Sequence, residues 1–150
     1  MQANLKSFLD QNHIHYHTIN HSPAYTAAET AATAHVKGAN FAKAVIVKLD
    51  GKMAMVIEPA NSRLDLDALK KETGCKQAEI ARENEFIASF PDCEAGAMPA
   101  LGKLYGMDVF LVDHFNKDKE IAFNAGNHHE LVQMSYSDFL RLVNPTKVLH

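Results

Sequence analysis

The first candidate for a chemical role is a lysine at the start of a predicted apolar strand. The segment FAKAVIVKL (41–49) is apolar on both faces apart from its lysines, which predicts a central strand. Lys43 shares a face with Val45 and Val47, and burying an ammonium without an anionic partner is unfavourable. Lys43 must therefore reach an acid, the solvent or a bound anionic substrate. A solvated lysine at a strand end is the commoner explanation of this pattern alone.

A second candidate is a loop of small residues, CEAGAMPALG (93–102), which carries almost no charge. Gly96, Pro99 and Gly102 give it the pattern G-x-x-P-x-x-G. Glycine permits close backbone approach and proline stiffens the path between. Such a loop can direct main-chain N–H groups at a carbonyl or phosphate oxygen, although a structural turn is the commoner explanation. Its apolar composition predicts a loop packed closely against something.

A third candidate is the segment IAFNAGNHHE (121–130), which follows an apolar strand pattern. Several polar side chains surround Gly126 there: Asn124, Asn127, His128 and His129. This grouping predicts a polar pocket wall. Adjacent histidines usually point in different directions, and surface histidines outnumber catalytic ones, so the sequence leaves open which of the pair faces the pocket.

Other chemistry finds little support in the sequence. His13, His15, His17 and His21 do not favour a metal site, because three imidazoles in a row on a strand would lie about 6–7 Å apart, which is wide for one ion, and no carboxylate or cysteine nearby completes the set. Cys75 and Cys93 form no CxxC pair, which indicates reduced thiols. The G-x-S-x-G, Walker, G-x-G-x-x-G and H-E-x-x-H motifs are also missing. We expect neither a metal nor a cofactor.

Length, composition and net charge indicate the kind of protein in which these groups lie. The 150 residues, 47% hydrophobic and 22% charged, predict one soluble domain over 1–150. No apolar run approaches the roughly 20 residues that cross a bilayer, and MQANLKSFLD does not read as a secretory signal, so we expect no membrane and a cytoplasmic location. A net charge of −3 gives no general attraction to nucleic acid, so any such contact must be local.

The first half of the chain predicts a helix, a strand, a second helix and a β-hairpin, over residues 3–11, 13–19, 27–36 and 41–60. Thr26 and Glu29 form a capping-box pattern at the start of the second helix, and Gly38 ends it. The dipeptide Asp50-Gly51 tolerates positive φ and predicts the tight turn of the hairpin.

The second half predicts a helix from Asp65 to Gly74, helical segments over 77–90 and a final helix over 136–143, which begins at Ser135. Between them lie three apolar strand patterns: 107–113, 120–126 and 131–135. Their close succession predicts a meander. The fold class is α+β (α/β), with a largely antiparallel sheet and packed helices.

Taken in order, these segments resemble the YbaK/prolyl-tRNA-synthetase-associated family of aminoacyl-tRNA deacylases, over roughly residues 14–143. The resemblance rests on HSPAYTAAETA, AKAVIVKLDG, LDLDALKKETG, GAMPALG with DVFLVD, and FNAGNHHELVQMSYSDFLRL. No single segment is decisive, but the ordered set is specific. It implies a mixed, strongly curved sheet and hydrolysis of the ester that joins a wrong amino acid to the tRNA 3′ end.

The resemblance also implies site residues. The expected catalytic set is Lys43, Gly96, Gly102 and Asn124. The expected substrate-binding set is Tyr25, Ala97, Met98, Pro99, Gly126 and His128. In this scheme the loop presents amides to the ester oxygen, because bulky side chains would hold the substrate away from the main chain. Lys43 binds the terminal phosphate or stabilises developing negative charge.

The expected substrate is a mischarged aminoacyl-tRNA that carries a small amino acid such as alanine, cysteine or serine, with an aminoacyl-tRNA synthetase as a further partner. Some relatives that edit cysteinyl-tRNA have an acidic residue where this chain has Leu131, so the amino acid stays open. Two alternatives remain at this point. One is a noncatalytic module that binds tRNA ends or a synthetase, and the other is a hydrolase of a different small ester or amide.

Overall fold

The computed structural model describes residues 1–150, and it contains five α-helices and eight β-strands. In chain order these are α1 Ala3–Gln11, β1 His17–Asn20, α2 Ala27–Thr33, β2 Ala42–Leu49, β3 Lys52–Pro59, α3 Leu66–Thr73, β4 Ala78–Ile80, α4 Glu83–Phe86, β5 Asp108–Val112, β6 Ile121–Asn124, β7 Glu130–Met134, α5 Tyr136–Val143 and β8 Lys147–Leu149. None of the helices combines the length and the apolar character needed to cross a membrane.

The strands form two sheets, a five-stranded sheet in the order β4-β2-β3-β5-β8 and a three-stranded sheet in the order β1-β7-β6. Only the β3–β5 and β5–β8 pairs are parallel. The predicted α+β class with mixed, largely antiparallel strands is confirmed. The predicted meander is wrong, because β5 pairs with β3 and β8 and only β6 and β7 are neighbours. Val109, Phe110 and Leu111 are all buried, so β5 needs strands on both sides and cover on both faces.

The hairpin of β2 and β3 has the predicted two-residue turn, with φ of 51° at Asp50 and 85° at Gly51. Leu49 pairs with Lys52 next to the turn, and the register continues without a bulge to Ala42 and Pro59. This register decides which residue lies opposite Lys43.

Local signals placed two helix starts and the end of α3, whereas the prediction that Gly38 ends α2 is wrong, because α2 already ends at Thr33. The Thr26 side chain accepts a hydrogen bond from the Glu29 N–H at 3.1 Å, and the Ser135 side chain accepts one from the Asp138 N–H at 3.2 Å. At the end of α3, Gly74 has a φ of 73°, as its predicted capping role requires.

The segment 77–90 differs from the prediction. Ala78–Ile80 forms β4 at the edge of the five-stranded sheet, and only residues after Arg82 are helical. The Asp50 carboxylate accepts hydrogen bonds from the N–H groups of Lys76 and Gln77, which holds this segment beside the hairpin turn. Long-range pairing therefore overrides the local helical pattern.

The five-stranded sheet is covered on both faces. The α3 face carries Val47 and Val56 and packs against Leu69 of α3. The inner face carries Ile46 and Met55 and belongs to the main core of 25 buried residues, which includes side chains of α1, α5 and the other sheet. One parallel bridge between Phe41 and Ala122 joins the two sheets, and we call it the junction bridge.

Candidate functional site

Lys43 lies on the α3 face of β2 and is held by two partners. Its Nζ is 3.3 Å from Glu58 Oε1 and donates a hydrogen bond to the carbonyl oxygen of Ser62 at 2.7 Å. The Lys43 side chain keeps 23% of its surface exposed, whereas that of Glu58 keeps 2%. Of the three possible partners for this lysine, the structure shows an acid. We call Lys43 and Glu58 the charge pair.

Glu58 is the site residue that the sequence-based prediction missed. Burial raises the pKa of its carboxyl group, and the neighbouring Lys43 ammonium acts against that rise. Oε1 is buried and accepts no aligned hydrogen bond. The signal was available in the sequence, because a two-residue turn at 50–51 pairs residue 43 with residue 58.

Asn124 lies on the same side of the junction as Lys43. The junction bridge is parallel, and Lys43 and Asn124 each follow their bridge residue by two positions. Because side chains alternate along a strand, both lie on the face shared by Phe41 and Ala122. Asn124 Oδ1 is buried and accepts no hydrogen bond from the protein. The two side chains therefore lie on the same side of the place where β2 and β6 diverge beyond the bridge, and we call that place the gap.

The loop 93–102 is exposed only near its start. Gly96 is exposed, and its N–H donates to no acceptor within the protein. Its φ of 82° lies in the left-handed region that favours glycine. The next residues are buried: Ala97, Met98, Pro99 and Ala100. The loop is tied to the end of β6, since Gly126 N–H donates to the Ala97 carbonyl at 3.1 Å.

Gly102 has a packing role in this structure. A Cβ there would lie 2.5 Å from Val109 Cγ2 and 3.2 Å from Met55 Cβ, so only glycine fits. Both neighbours are on the inner face of the sheet, opposite the Lys43 side chain. The structure therefore does not bring Lys43 together with the buried part of the loop, and Gly96 is the glycine of the loop that remains exposed.

Tyr25 and His128 complete a second group around Gly96. Their ring centroids are 4.7 Å apart, and a Cβ on Gly96 would lie 3.5 Å from His128 Cε1. His128 Nε2 lies 2.7 Å from the Ala95 carbonyl oxygen, which can only accept, so Nε2 carries a hydrogen. In the neutral ring this leaves Nδ1 as an acceptor. Tyr25 is 69% exposed. We call Tyr25, Gly96 and His128 the loop cluster.

The structure settles which of the adjacent histidines faces the loop. His128 packs between Tyr25 and Gly96, while His129 is exposed and its N–H donates to Asn127 Oδ1. Gly126 supports the cluster through its bond to Ala97. No ion pair or hydrogen bond joins Lys43 to the loop, since its partners are Ser62 and Glu58. No group of three or more His, Cys, Asp or Glu side chains could hold a metal ion.

Solved structures share this architecture at low sequence identity. The hypothetical protein APE2540 superimposes with a TM-score of 0.83 at 19% identity, covering 97% of each chain. A protein proposed as a trans-editing enzyme for prolyl tRNA synthetase gives a TM-score of 0.78 at 17% identity, covering 96% of this chain and 92% of its own. A protein from Marinobacter aquaeolei VT8, described as acting in signal transduction, gives 0.77 at 17% identity, covering 99% of this chain and 30% of its own.

These likenesses establish the fold. Among curated proteins, no sequence matches the chain. The family model of the aminoacyl-tRNA editing domain matches residues 21–142, a span that contains the charge pair, Asn124 and the loop cluster. The chain therefore belongs to the aminoacyl-tRNA editing domain family.

Proposed function

We propose that this protein hydrolyses the ester bond of mischarged aminoacyl-tRNA in trans, at the gap between β2 and β6. The observation that carries the proposal is the placement of Lys43 and Asn124 on one face beside the junction bridge, in a chain of the editing-domain family. His128 of the loop cluster follows Asn124 in the chain, past the end of β6. Lys43 and Asn124 would present a cation and an amide side chain to an aminoacylated ribose, and the reaction further requires that the ester oxygen reach the Gly96 N–H of the loop cluster.

Lys43 supplies the positive charge in this mechanism. Its ammonium is partly exposed and has Glu58 as its counter-ion. It can therefore approach the phosphate of the terminal adenosine or the oxygen that gains negative charge. Rotation about the lysine stem moves the ammonium between Ser62 and the gap.

Gly96 supplies the hydrogen-bond donor for the ester oxygen. Its N–H has no acceptor in the protein, and the absence of a side chain lets a carbonyl approach the backbone. Removing one comparable donor slows other hydrolases by on the order of 10²–10³. We therefore assign the oxyanion role to Gly96 rather than to the whole loop, and Ala97, Met98, Pro99 and Gly102 shape its path.

The remaining polar groups orient the reactants. Asn124 Oδ1 lacks a donor and can accept one from the α-ammonium or from water, while His128 Nδ1 can accept a proton from water. The exposed ring of Tyr25 offers a face on which the terminal base can stack. The attacking group is water or the neighbouring ribose hydroxyl, because positioning and charge stabilisation suffice for an activated ester.

The finer assignments rest on the family to which the chain belongs. We propose a small amino acid such as alanine, cysteine or serine as the group removed, the tRNA 3′ end as the macromolecular partner, and an aminoacyl-tRNA synthetase as the source of the mischarged tRNA. The structural likeness to a protein proposed to edit for prolyl tRNA synthetase supports the trans reaction. Such a protein would act in the cytoplasm, where tRNA is charged.

The test is release of amino acid from a panel of mischarged tRNAs, including Ala-, Cys- and Ser-tRNA, by the wild-type chain and two variants. Lys43→Ala should lose activity. Lys48→Ala is the matched control, because Lys48 lies on the same strand but pairs with Glu79 and Glu85. Wild-type binding of tRNA without release above the spontaneous rate would instead establish the noncatalytic binding module.

A further inference from the structure

A cavity of about 290 Å³ lies between α3 and the α3 face of the five-stranded sheet, and the proposed reaction does not use it. Its apolar wall comes from the loop before α3, the helix itself and two strands: Leu64, Ala68, Leu69, Val112 and Leu149. Its volume lies just below the range of about 300–1,000 Å³ of sites for drug-sized ligands, which suits a smaller molecule, and polar and charged residues make up the rest of its lining.

Glu58 lines this cavity and is short of hydrogen bonds. It is 1% exposed, and its Oε1, which lies 3.3 Å from Lys43 Nζ, accepts no aligned hydrogen bond from the protein. The Lys43 ammonium also donates a hydrogen bond to the Ser62 carbonyl. A buried carboxylate normally accepts several hydrogen bonds, so a donor is missing at this position.

The polar lining of the cavity carries groups of both signs. Three carboxylates line it, those of Glu58, Asp65 and Glu72, together with the Arg63 guanidinium and the imidazoles of His114 and His150. Asp65 caps α3 by accepting from the Ala68 N–H, and Glu72 lies 3.4 Å from Lys147 Nζ. Glu58 is therefore the carboxylate that can accept a further hydrogen bond, and it lines the same cavity as the apolar wall.

We propose that this cavity binds a small aliphatic ammonium ion, with its hydrocarbon part against Leu69, Val112 and Leu149 and its charge on Glu58. The ligand and Lys43 would then share one carboxylate. A charged hydrogen bond is typically stronger than a neutral one, so the ammonium should bind better than an alcohol of the same shape.

The test titrates the full chain, labelled at its Leu and Val methyl groups, with n-butylammonium chloride and with n-butanol at matched ionic strength. We expect saturable NMR shifts at Leu69, Val112 and Leu149, no shift at Leu5 in the main core, and at least tenfold tighter binding of the ammonium. Equal affinity for the alcohol, or shifts that do not saturate, would overturn the proposal and leave the cavity as a site for water.

Three variants locate the interaction. Glu58→Gln should remove the preference for the ammonium, whereas Glu72→Gln, at a carboxylate that already has a partner, should retain it. Ala68→Leu adds bulk to the helix side of the cavity without changing its charge, and should abolish binding of both probes. Ala68→Leu tests whether this cavity is the binding site even if Glu58→Gln fails to fold. Retained binding in Ala68→Leu, or retained discrimination in Glu58→Gln, contradicts the site.

Discussion

The charge pair and the loop cluster are held in place by different kinds of contact. Lys43 and Glu58 are cross-strand partners in the regular hairpin of β2 and β3, and the carboxylate is sealed from solvent. The loop cluster is held by main-chain hydrogen bonds and a ring contact, and Tyr25 stands largely in solvent. Burial of charge is the main energetic cost at the charge pair, so changes there should alter both the stability and the rate. The loop cluster contributes mainly by positioning groups, so changes there should alter mainly the rate.

The largest expected effect is that of Lys43→Ala. Loss of the ammonium leaves Glu58 as an unpaired buried charge, which destabilises by about 3–5 kcal/mol, and deacylation should fall by at least about 10²-fold. Urea unfolding and amino-acid release measure the two effects. The double variant Lys43→Ala/Glu58→Gln should recover stability but not activity. Recovery of activity in the double variant would show that Lys43 acts only as a counter-ion.

Substitution of Gly96 by alanine should separate geometry from stability. The left-handed φ of 82° makes alanine unfavourable by about 1–2 kcal/mol, and the new methyl group meets His128. We expect at least a tenfold loss of deacylation. Gly51→Ala is the matched control, since Gly51 has a φ of 85° and no atom within 4 Å of an added Cβ. Equal loss of activity in both variants would assign the effect to stability alone.

Glu58→Gln should change how stability depends on pH. Burial raises the folded-state pKa of Glu58 above its unfolded value, so the folded state binds the proton more tightly. Wild-type stability relative to the variant should therefore decrease as pH rises from about 4.5 through the raised folded pKa, by about 1.4 kcal/mol per unit of pKa difference. Urea unfolding of both proteins from pH 4 to 8 measures this. A difference that stays flat or increases with pH would contradict the assignment.

The smallest effects should come from Tyr25. Tyr25→Phe keeps the ring and should leave stability within about 0.5 kcal/mol of wild type and the rate nearly unchanged. Tyr25→Ala removes the stacking face, and loss of about 1 kcal/mol of base stacking should raise KM about fivefold with little change in kcat. Ile80→Ala, another exposed apolar residue, is the control and should have no effect on KM. A fall in kcat alone would indicate that Tyr25 acts in the chemical step.

Local chemistry explains which parts of the fold the sequence could predict. Thr26, Asp65 and Ser135 cap helices through bonds that span three residues, and Asp50-Gly51 defines the hairpin by its own φ values. The positions of β4 and β5 depend on partners far along the chain, which no local pattern specifies. That is why helix was predicted where β4 forms, and a meander where β5 joins the other sheet.

The candidate site divides in the same way. Lys43 stood out because an ammonium on an apolar strand needs a partner, and the hairpin register could have supplied Glu58 as well. The pattern G-x-x-P-x-x-G could not show that Gly96 is exposed while Gly102 packs against Val109, since that depends on which sheet face the loop covers. The two glycines look alike in the sequence, but each position requires glycine for a different physical reason.

The junction bridge makes the strand segments beside it intolerant of length changes. Lys43 and Asn124 each follow a bridge residue by two positions, and side chains alternate sides at every step. Inserting or deleting one residue between Phe41 and Lys43, or between Ala122 and Asn124, would turn one of these groups to the other side of its strand. Proteins that share this architecture and this chemistry should therefore carry their gaps elsewhere, and an alignment of them would show these two short intervals at constant length.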